Sequence, residues 1–91
     1  MHEMEPGRIV RSVAGHDKFR FYVVTRVDEN RVWIADGKMH KLEKPKAKNP
    51  KHLRVTKTLI DADDPKTDKY LRTLLKPFNR NTGDAVQEEG G

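Results

Sequence analysis

The chain has 91 residues, a formal net charge of +5, 34% hydrophobic and 36% charged residues, and no cysteine. A chain of this length forms one domain with a small core, which argues against a deep active-site pocket. Without cysteine there are no disulfide bonds or cysteine-ligated zinc, and without a long apolar run or a secretion signal the protein is predicted to be cytoplasmic, with no membrane contact.

Short runs with alternating or β-branched residues dominate the first two thirds of the chain. They predict five strands, at 7–13, 21–27, 32–34 and 38–42, with a fifth marked by Leu53, Val55 and Leu59. Asp36-Gly37 predicts a type I′ hairpin turn between the third and fourth strands. Trp33 lies inside the third run, where a tryptophan is more often a core residue than a base-stacking one. Five short strands with tight turns favour a small β-barrel, which closes its own edges.

The segment 44–51, KPKAKNPK, is predicted to be an extended, solvated loop because Pro45 and Pro50 oppose a helix or a central strand. It belongs to a longer basic segment, 38–57, which holds eight basic residues and a single acid, Glu43. The net charge of this segment therefore exceeds the net charge of +5 of the whole chain. Such a run is either a merely solvated surface or a binding surface for a polyanion.

A change of period after Pro65 predicts a C-terminal helix. Its apolar stripe consists of Tyr70, Leu71, Leu74, Leu75 and Phe78. Thr67 or Asp64 is the expected cap, Pro77 limits the helix near its end, and the aspartates at 61–64 favour the helix start rather than catalysis. The stripe packs more often on its own domain than on a partner. The predicted organisation is a barrel at 1–60, a helix packed on it at 61–79 and a disordered tail at 80–91.

The segment 7–24, GRIVRSVAGHDKFRFYVV, resembles the KOW motif of ribosomal proteins and transcription elongation factors. Together with ADGK at 35–38 and KLEKPKAKNPKHL at 41–53, it is similar to the fourteen-e family of large-subunit ribosomal proteins of archaea and eukaryotes, and closer still to related small bacterial KOW-domain RNA-binding proteins. The resemblance covers about residues 5 to 58. It implies a mainly β protein, a five-stranded SH3-like (KOW) barrel with a short C-terminal helix, that binds structured RNA, chiefly ribosomal RNA.

The resemblance also implies which residues contact RNA, through a loop at 14–18 and through the basic segment. They are Arg8, Arg11, Gly15, His16, Asp17, Lys18, Phe19, Arg20, Lys38, Lys41, Lys44, Lys46, Lys48, Lys51, His52 and Arg54. Lysines can follow phosphates, and arginines can bind them bidentately. Family members commonly have glycine at the position of Phe19, where it permits a positive φ or a close approach of the backbone to a ligand. The Phe19 ring either stacks on a base or is merely packed or exposed.

No enzyme activity, cofactor or metal is predicted. The sequence has no glycine-rich phosphate loop and no nucleophile motif, and its four histidines lack metal-ligand spacing. The expected partners are RNA or the ribosome, with ribosomal proteins as further candidates, and the free protein is expected to be a monomer. The alternative is an adaptor that docks on ribosomal or transcription proteins through its barrel and helix. The sequence leaves open whether the protein is an integral ribosomal protein or an accessory factor.

Overall fold

The computed structural model describes residues 3–15, 18–61 and 67–90, with side chains as far as residue 79. Its elements are strands β1 (Arg8–Ser12), β2 (Phe21–Val27), β3 (Val32–Ala35), β4 (Lys46–Lys48) and β5 (Leu53–Leu59), a 3₁₀ turn (Pro50–His52) and helix α1 (Asp68–Gly90). The strands form one antiparallel sheet in the order β4-β3-β2-β1-β5. The prediction of a mainly β protein with five strands and one C-terminal helix is confirmed. Within the described ranges, no helix is long and apolar enough to cross a membrane.

Both faces of the sheet carry buried residues. Alternate residues of β1, β2 and β3 point to opposite sides, so that each strand contributes to both faces. One face holds an inner cluster made of Val10, Tyr22, Val24, Val32, Ile34 and Leu53. The other face holds a helix cluster, in which Ile9, Val23 and Ala35 pack against Leu71 and Leu75 of α1. The sheet therefore separates two small cores, and the helix covers one of them.

The sheet is strongly curled. In a flat sheet β4 and β5 would lie about 19 Å apart, since neighbouring strands are spaced about 4.8 Å. The chain from Lys48 to Leu53 reaches at most about 18 Å when fully extended, and the 3₁₀ turn shortens it further. The two edge strands therefore approach each other, but the described strand pairing leaves β4 and β5 as edges. The predicted closed barrel is not confirmed.

The fourth strand lies at a different place from the one predicted. Residues 38–42 form a loop, and β4 lies inside the segment that was expected to be a solvated loop. The reason is Asp36, whose Oδ1 accepts hydrogen bonds from the N–H groups of both Lys38 and His40 at 2.9 Å. This side chain holds a wider turn than a two-residue hairpin. Pro45 then precedes β4, which is an edge strand and so tolerates a missing N–H.

Helix α1 begins as the sequence predicts. The Thr67 hydroxyl accepts a hydrogen bond from the Tyr70 N–H at 3.1 Å and caps the helix, whereas Asp64 lies outside the described residues. Leu71 and Leu75 are buried, and the Phe78 ring lies 5.4 Å from that of Phe21. Leu71, Leu75 and Phe78 of the apolar stripe thus pack on the protein's own sheet, whereas Tyr70 is exposed.

The far end of α1 differs from the prediction. Helical backbone continues past Pro77 to Gly90, through the segment that was expected to be a disordered tail. A proline inside a helix removes one intrahelical hydrogen bond and its ring crowds the preceding turn. Here the helix on both sides of that turn is held by the sheet. Asn79 Oδ1 accepts from the Phe21 N–H at 2.7 Å, and Asn79 Nδ2 donates to the Phe21 carbonyl at 3.3 Å.

Candidate functional site

Phe19 has a backbone conformation that phenylalanine rarely adopts. Its φ is +75°, and no other non-glycine residue in the described part of the chain has a positive φ. For an L-residue the left-handed region costs roughly 1–2 kcal/mol. The conformation is fixed by the Phe19 N–H, which donates to the Ser12 carbonyl at 2.7 Å, while the Ser12 N–H donates to the Arg20 carbonyl at 2.9 Å. The chain thus keeps the backbone that glycine would adopt here, but with an aromatic side chain that is 41% exposed.

Two cationic side chains lie against this ring, and a third leaves the sheet beside one of them. The Lys18 Nζ lies 5.2 Å and the Arg11 guanidinium carbon 5.8 Å from the ring centroid, within cation–π range. Arg54 is the direct cross-strand partner of Arg11, so both side chains leave the same face of the sheet. Within the described residues, no carboxylate lies within 4 Å of these three cations. We call Arg11, Lys18, Phe19 and Arg54 the Phe19 platform.

The platform adjoins part of the basic segment. The His52 carbonyl accepts a hydrogen bond from the Val13 N–H at 2.9 Å, which holds the 3₁₀ turn beside the end of β1. Asn49 Oδ1 in turn accepts from the Lys51 N–H at 2.9 Å. Lys51 and His52 are exposed next to the platform. Gly15, with a φ of +83°, is also exposed in the adjoining loop, whereas His16 and Asp17 lie outside the described residues.

The lysines of β4 belong to the other face of the sheet. Lys48 pairs with Val32 and Lys46 with Ile34, and both partners are members of the inner cluster. Directly opposite residues share a face, so these lysines leave the face opposite to that of Arg11. The predicted RNA-binding residues therefore leave both faces of the sheet, and the lysines of β4 leave the face opposite to that of the platform arginines. Inward-facing charges on an edge strand also oppose pairing with another chain.

The remaining predicted residues have other surroundings. Arg8 is buried, and its guanidinium donates to the Glu3 carbonyl at 2.8 Å, the Thr56 carbonyl at 3.4 Å and Glu5 Oε2 at 3.1 Å. It stabilises the fold and is not accessible to a ligand. Lys41 and Lys44 are exposed in the loop between β3 and β4.

Arg20 and Lys38 lie in a cleft between α1 and the sheet, together with residues that sequence reasoning missed. The cleft has a volume of about 500 Å³. Lys69, Arg72 and Lys76 line it from the helix. Their spacing of three and four residues places them on one helix face, which is a signal that the sequence contained.

Trp33 differs from its predicted core position. It is half-buried, and the Arg26 guanidinium carbon lies 4.6 Å from its ring centroid. Within the described residues, no group of three histidine, aspartate or glutamate side chains is placed to hold a metal ion.

Comparison with known proteins does not assign the chain to a family. No family model matches the chain, and no curated protein matches it either.

Proposed function

We propose that this protein binds RNA, with an unpaired base stacked on Phe19 and the adjoining phosphates held by Arg11, Lys18 and Arg54. The observation that carries the proposal is the φ of +75° at Phe19. Backbone strain of this kind costs stability and concentrates at functional positions. An exposed aromatic ring flanked by cations is the arrangement with which proteins bind single-stranded nucleic acid.

The charges of the platform support a polyanionic ligand. Arg11 and Arg54 are direct cross-strand partners, and like charges in that position destabilise a sheet. An arrangement that costs stability is explained by a ligand that neutralises it. Phosphates do so, and arginine binds them with paired hydrogen bonds. Lys51 and His52 extend the same surface, so that a strand of several nucleotides can follow it.

The fold proposed for this function is the SH3-like barrel of the KOW type. A curled five-stranded sheet with a 3₁₀ turn between its last two strands supports that assignment. Because the loop at 14–18 resembles the KOW motif, ribosomal RNA is the expected ligand. The expected role is ribosome association or ribosome assembly, in the cytoplasm. The adaptor alternative has less support, because Leu71 and Leu75 of its helix surface are buried against the sheet and Tyr70 is the exposed residue of the stripe.

The proposal is tested by two triple variants, each of which removes three positive charges from a different part of the protein. Arg11→Gln/Lys18→Gln/Arg54→Gln empties the platform of cations, and Lys44→Gln/Lys46→Gln/Lys48→Gln removes three cations from β4 and the loop before it. Binding of single-stranded and structured ribosomal RNA fragments is measured by fluorescence anisotropy over a range of salt concentrations. The platform variant is expected to reduce the log–log salt slope by about 2, since each phosphate contact contributes about 0.7 on a single strand.

The second variant is the matched control. It is expected to leave the slope nearly unchanged, because its lysines do not belong to the platform. Equal losses in both variants would mean that RNA responds to net charge alone, and a loss confined to the second variant would move the site to β4. Absence of salt-dependent RNA binding by the unmodified protein would refute the function altogether.

A further inference from the structure

The cleft between α1 and the sheet has the chemistry of a ligand site distinct from the Phe19 platform. Its cationic lining residues are Arg20, Lys38, Lys69, Arg72 and Lys76, against a single carboxylate, Asp36. Lys69, Arg72 and Lys76 follow one face of α1 over about two turns, or roughly 10 Å. The volume of about 500 Å³ lies within the usual range for small-molecule sites.

Asp36 gives the cleft a second, opposite chemistry. Its side chain is 2% exposed, and its Oδ1 is used by the N–H groups of Lys38 and His40. Its Oδ2 is buried and accepts no hydrogen bond from the described residues, since Arg20 Nη2 lies 3.8 Å away. An unsatisfied buried acceptor of this kind is costly. A ligand that donates a hydrogen bond to Oδ2 would remove this cost.

A hydrogen bond holds the Asp36 turn beside the cations of the helix. The carbonyl of the next residue, Gly37, accepts a hydrogen bond from Arg72 Nη1 at 2.7 Å. This bond ties the Asp36 turn to the middle of the helix row and orients the Arg72 guanidinium, which keeps its other N–H donors for a ligand. Cations and an acceptor that lacks a hydrogen-bond donor thus lie within one small cleft.

We propose that this cleft binds a nucleoside monophosphate unit, with its phosphate on Lys69, Arg72 and Lys76 and a hydroxyl or amino group of its sugar or base donating to Asp36 Oδ2. A plain inorganic anion satisfies the cations but gives Asp36 Oδ2 no hydrogen-bond donor, and its charge repels that of the carboxylate. A nucleotide carries both the anion and the donor. The unit is either a free nucleotide or one nucleotide of an RNA chain, and the site does not require the Phe19 platform.

The test is a titration of the full-length, ¹⁵N-labelled protein followed by NMR, with inorganic phosphate, AMP and a six-nucleotide oligoadenylate as separate ligands. Saturable shifts are expected for the backbone amides of Gly37, Lys69, Arg72 and Lys76. If the site accepts a free nucleotide, AMP is expected to bind at least tenfold more tightly than inorganic phosphate. If it accepts only a nucleotide within an RNA chain, the oligoadenylate is expected to show this difference instead.

Two variants separate the two halves of the site. Asp36→Asn keeps an oxygen for the two N–H groups of the turn but replaces Oδ2 by a donor. It is expected to weaken nucleotide binding at least fivefold and not to weaken phosphate binding, because the variant removes the repulsion between the carboxylate and the anion. Lys69→Gln/Lys76→Gln changes exposed side chains on the helix surface and is expected to weaken the binding of both ligands at least fivefold. Arg11→Gln/Lys18→Gln/Arg54→Gln is the control, and it is expected to leave the AMP-induced shifts of the cleft amides Gly37, Lys69, Arg72 and Lys76 unchanged.

The proposal is overturned if none of the three ligands gives saturable shifts at these amides. It is also overturned if nucleotide and phosphate bind equally and Asp36→Asn does not change their ratio, because the cleft would then be an unselective anion site. Loss of RNA binding in the platform variant with intact AMP binding would support both sites independently.

Discussion

Replacing Phe19 by alanine and by glycine separates the strain of its backbone from the contribution of its ring. Alanine keeps a Cβ at a φ of +75° and therefore retains a strain of roughly 1–2 kcal/mol. Glycine removes this strain but adds about 0.4–1 kcal/mol of unfolded-state entropy. We therefore expect Phe19→Gly to be more stable than Phe19→Ala by about 1 kcal/mol. At a position with negative φ the order would be the reverse.

The stability difference is read from urea unfolding of both variants, and the contribution of the ring from their RNA affinity. Both variants lack the ring, so both are expected to lose the same factor in affinity, about 5-fold to 150-fold for a stacking contribution of roughly 1–3 kcal/mol. Phe19→Tyr keeps an aromatic face and is expected to retain binding. A more stable alanine variant would show that the left-handed backbone is not present in solution, and unchanged RNA affinity in both would refute base stacking.

Three further variants test contacts that hold the fold around the two sites. Gly37→Ala is expected to lower the free energy of unfolding by about 2–4 kcal/mol in thermal melts, because a Cβ at a φ of +79° would overlap the Asp68 carbonyl oxygen. Asn79→Ala removes both hydrogen bonds to the Phe21 backbone and is expected to cost about 1–3 kcal/mol, with faster hydrogen exchange of the Phe21 amide. Arg8→Met leaves the acceptors of its guanidinium unpaired and is expected to cost about 2 kcal/mol or more in urea unfolding, while the folded protein binds RNA normally.

Each of these predictions has a comparison or an outcome that would contradict it. Gly15→Ala introduces a Cβ at a φ of +83° on an exposed residue, so a loss as large as that of Gly37→Ala would contradict the close approach to the helix. Asn79→Asp keeps the acceptor for the Phe21 N–H and is expected to lose less stability than Asn79→Ala. Reduced RNA affinity of fully folded Arg8→Met protein would show that Arg8 contacts RNA after all.

Four of the five strands follow from the sequence because their residues are patterned by two buried faces. In β2, Tyr22 and Val24 enter the inner cluster while Val23 enters the helix cluster, so that alternation and β-branching both appear in a short run. The helix start was predictable for a similar reason. Thr67 supplies a cap, and Leu71 and Leu75 repeat at helical spacing.

The fourth strand was not predictable from local pattern, because tertiary contacts define it. β4 has three residues, and it becomes a strand by pairing with β3. Its sequence, Lys-Ala-Lys after Pro45, has low strand propensity and suits a solvated loop equally well. The Asp36 turn accompanies this shift, because its side chain accepts two hydrogen bonds in addition to the turn's backbone bonds to the His40 carbonyl.

The same limit applies to the candidate sites, where charge along the chain proved a poor guide to charge in space. The dense basic segment is divided between faces, since Lys46 and Lys48 leave the face opposite to Arg54. The cleft, in contrast, combines Arg20 and Lys38 with a helix row from a part of the chain that has no conspicuous excess of charge. A loop of one residue too many or too few changes which face a side chain leaves. Side chains that are distant in sequence therefore meet in the cleft. In the proposed nucleotide site the selective acceptor is Asp36 Oδ2, which accepts no hydrogen bond, whereas Oδ1 accepts two. Only the structure distinguishes these two oxygens.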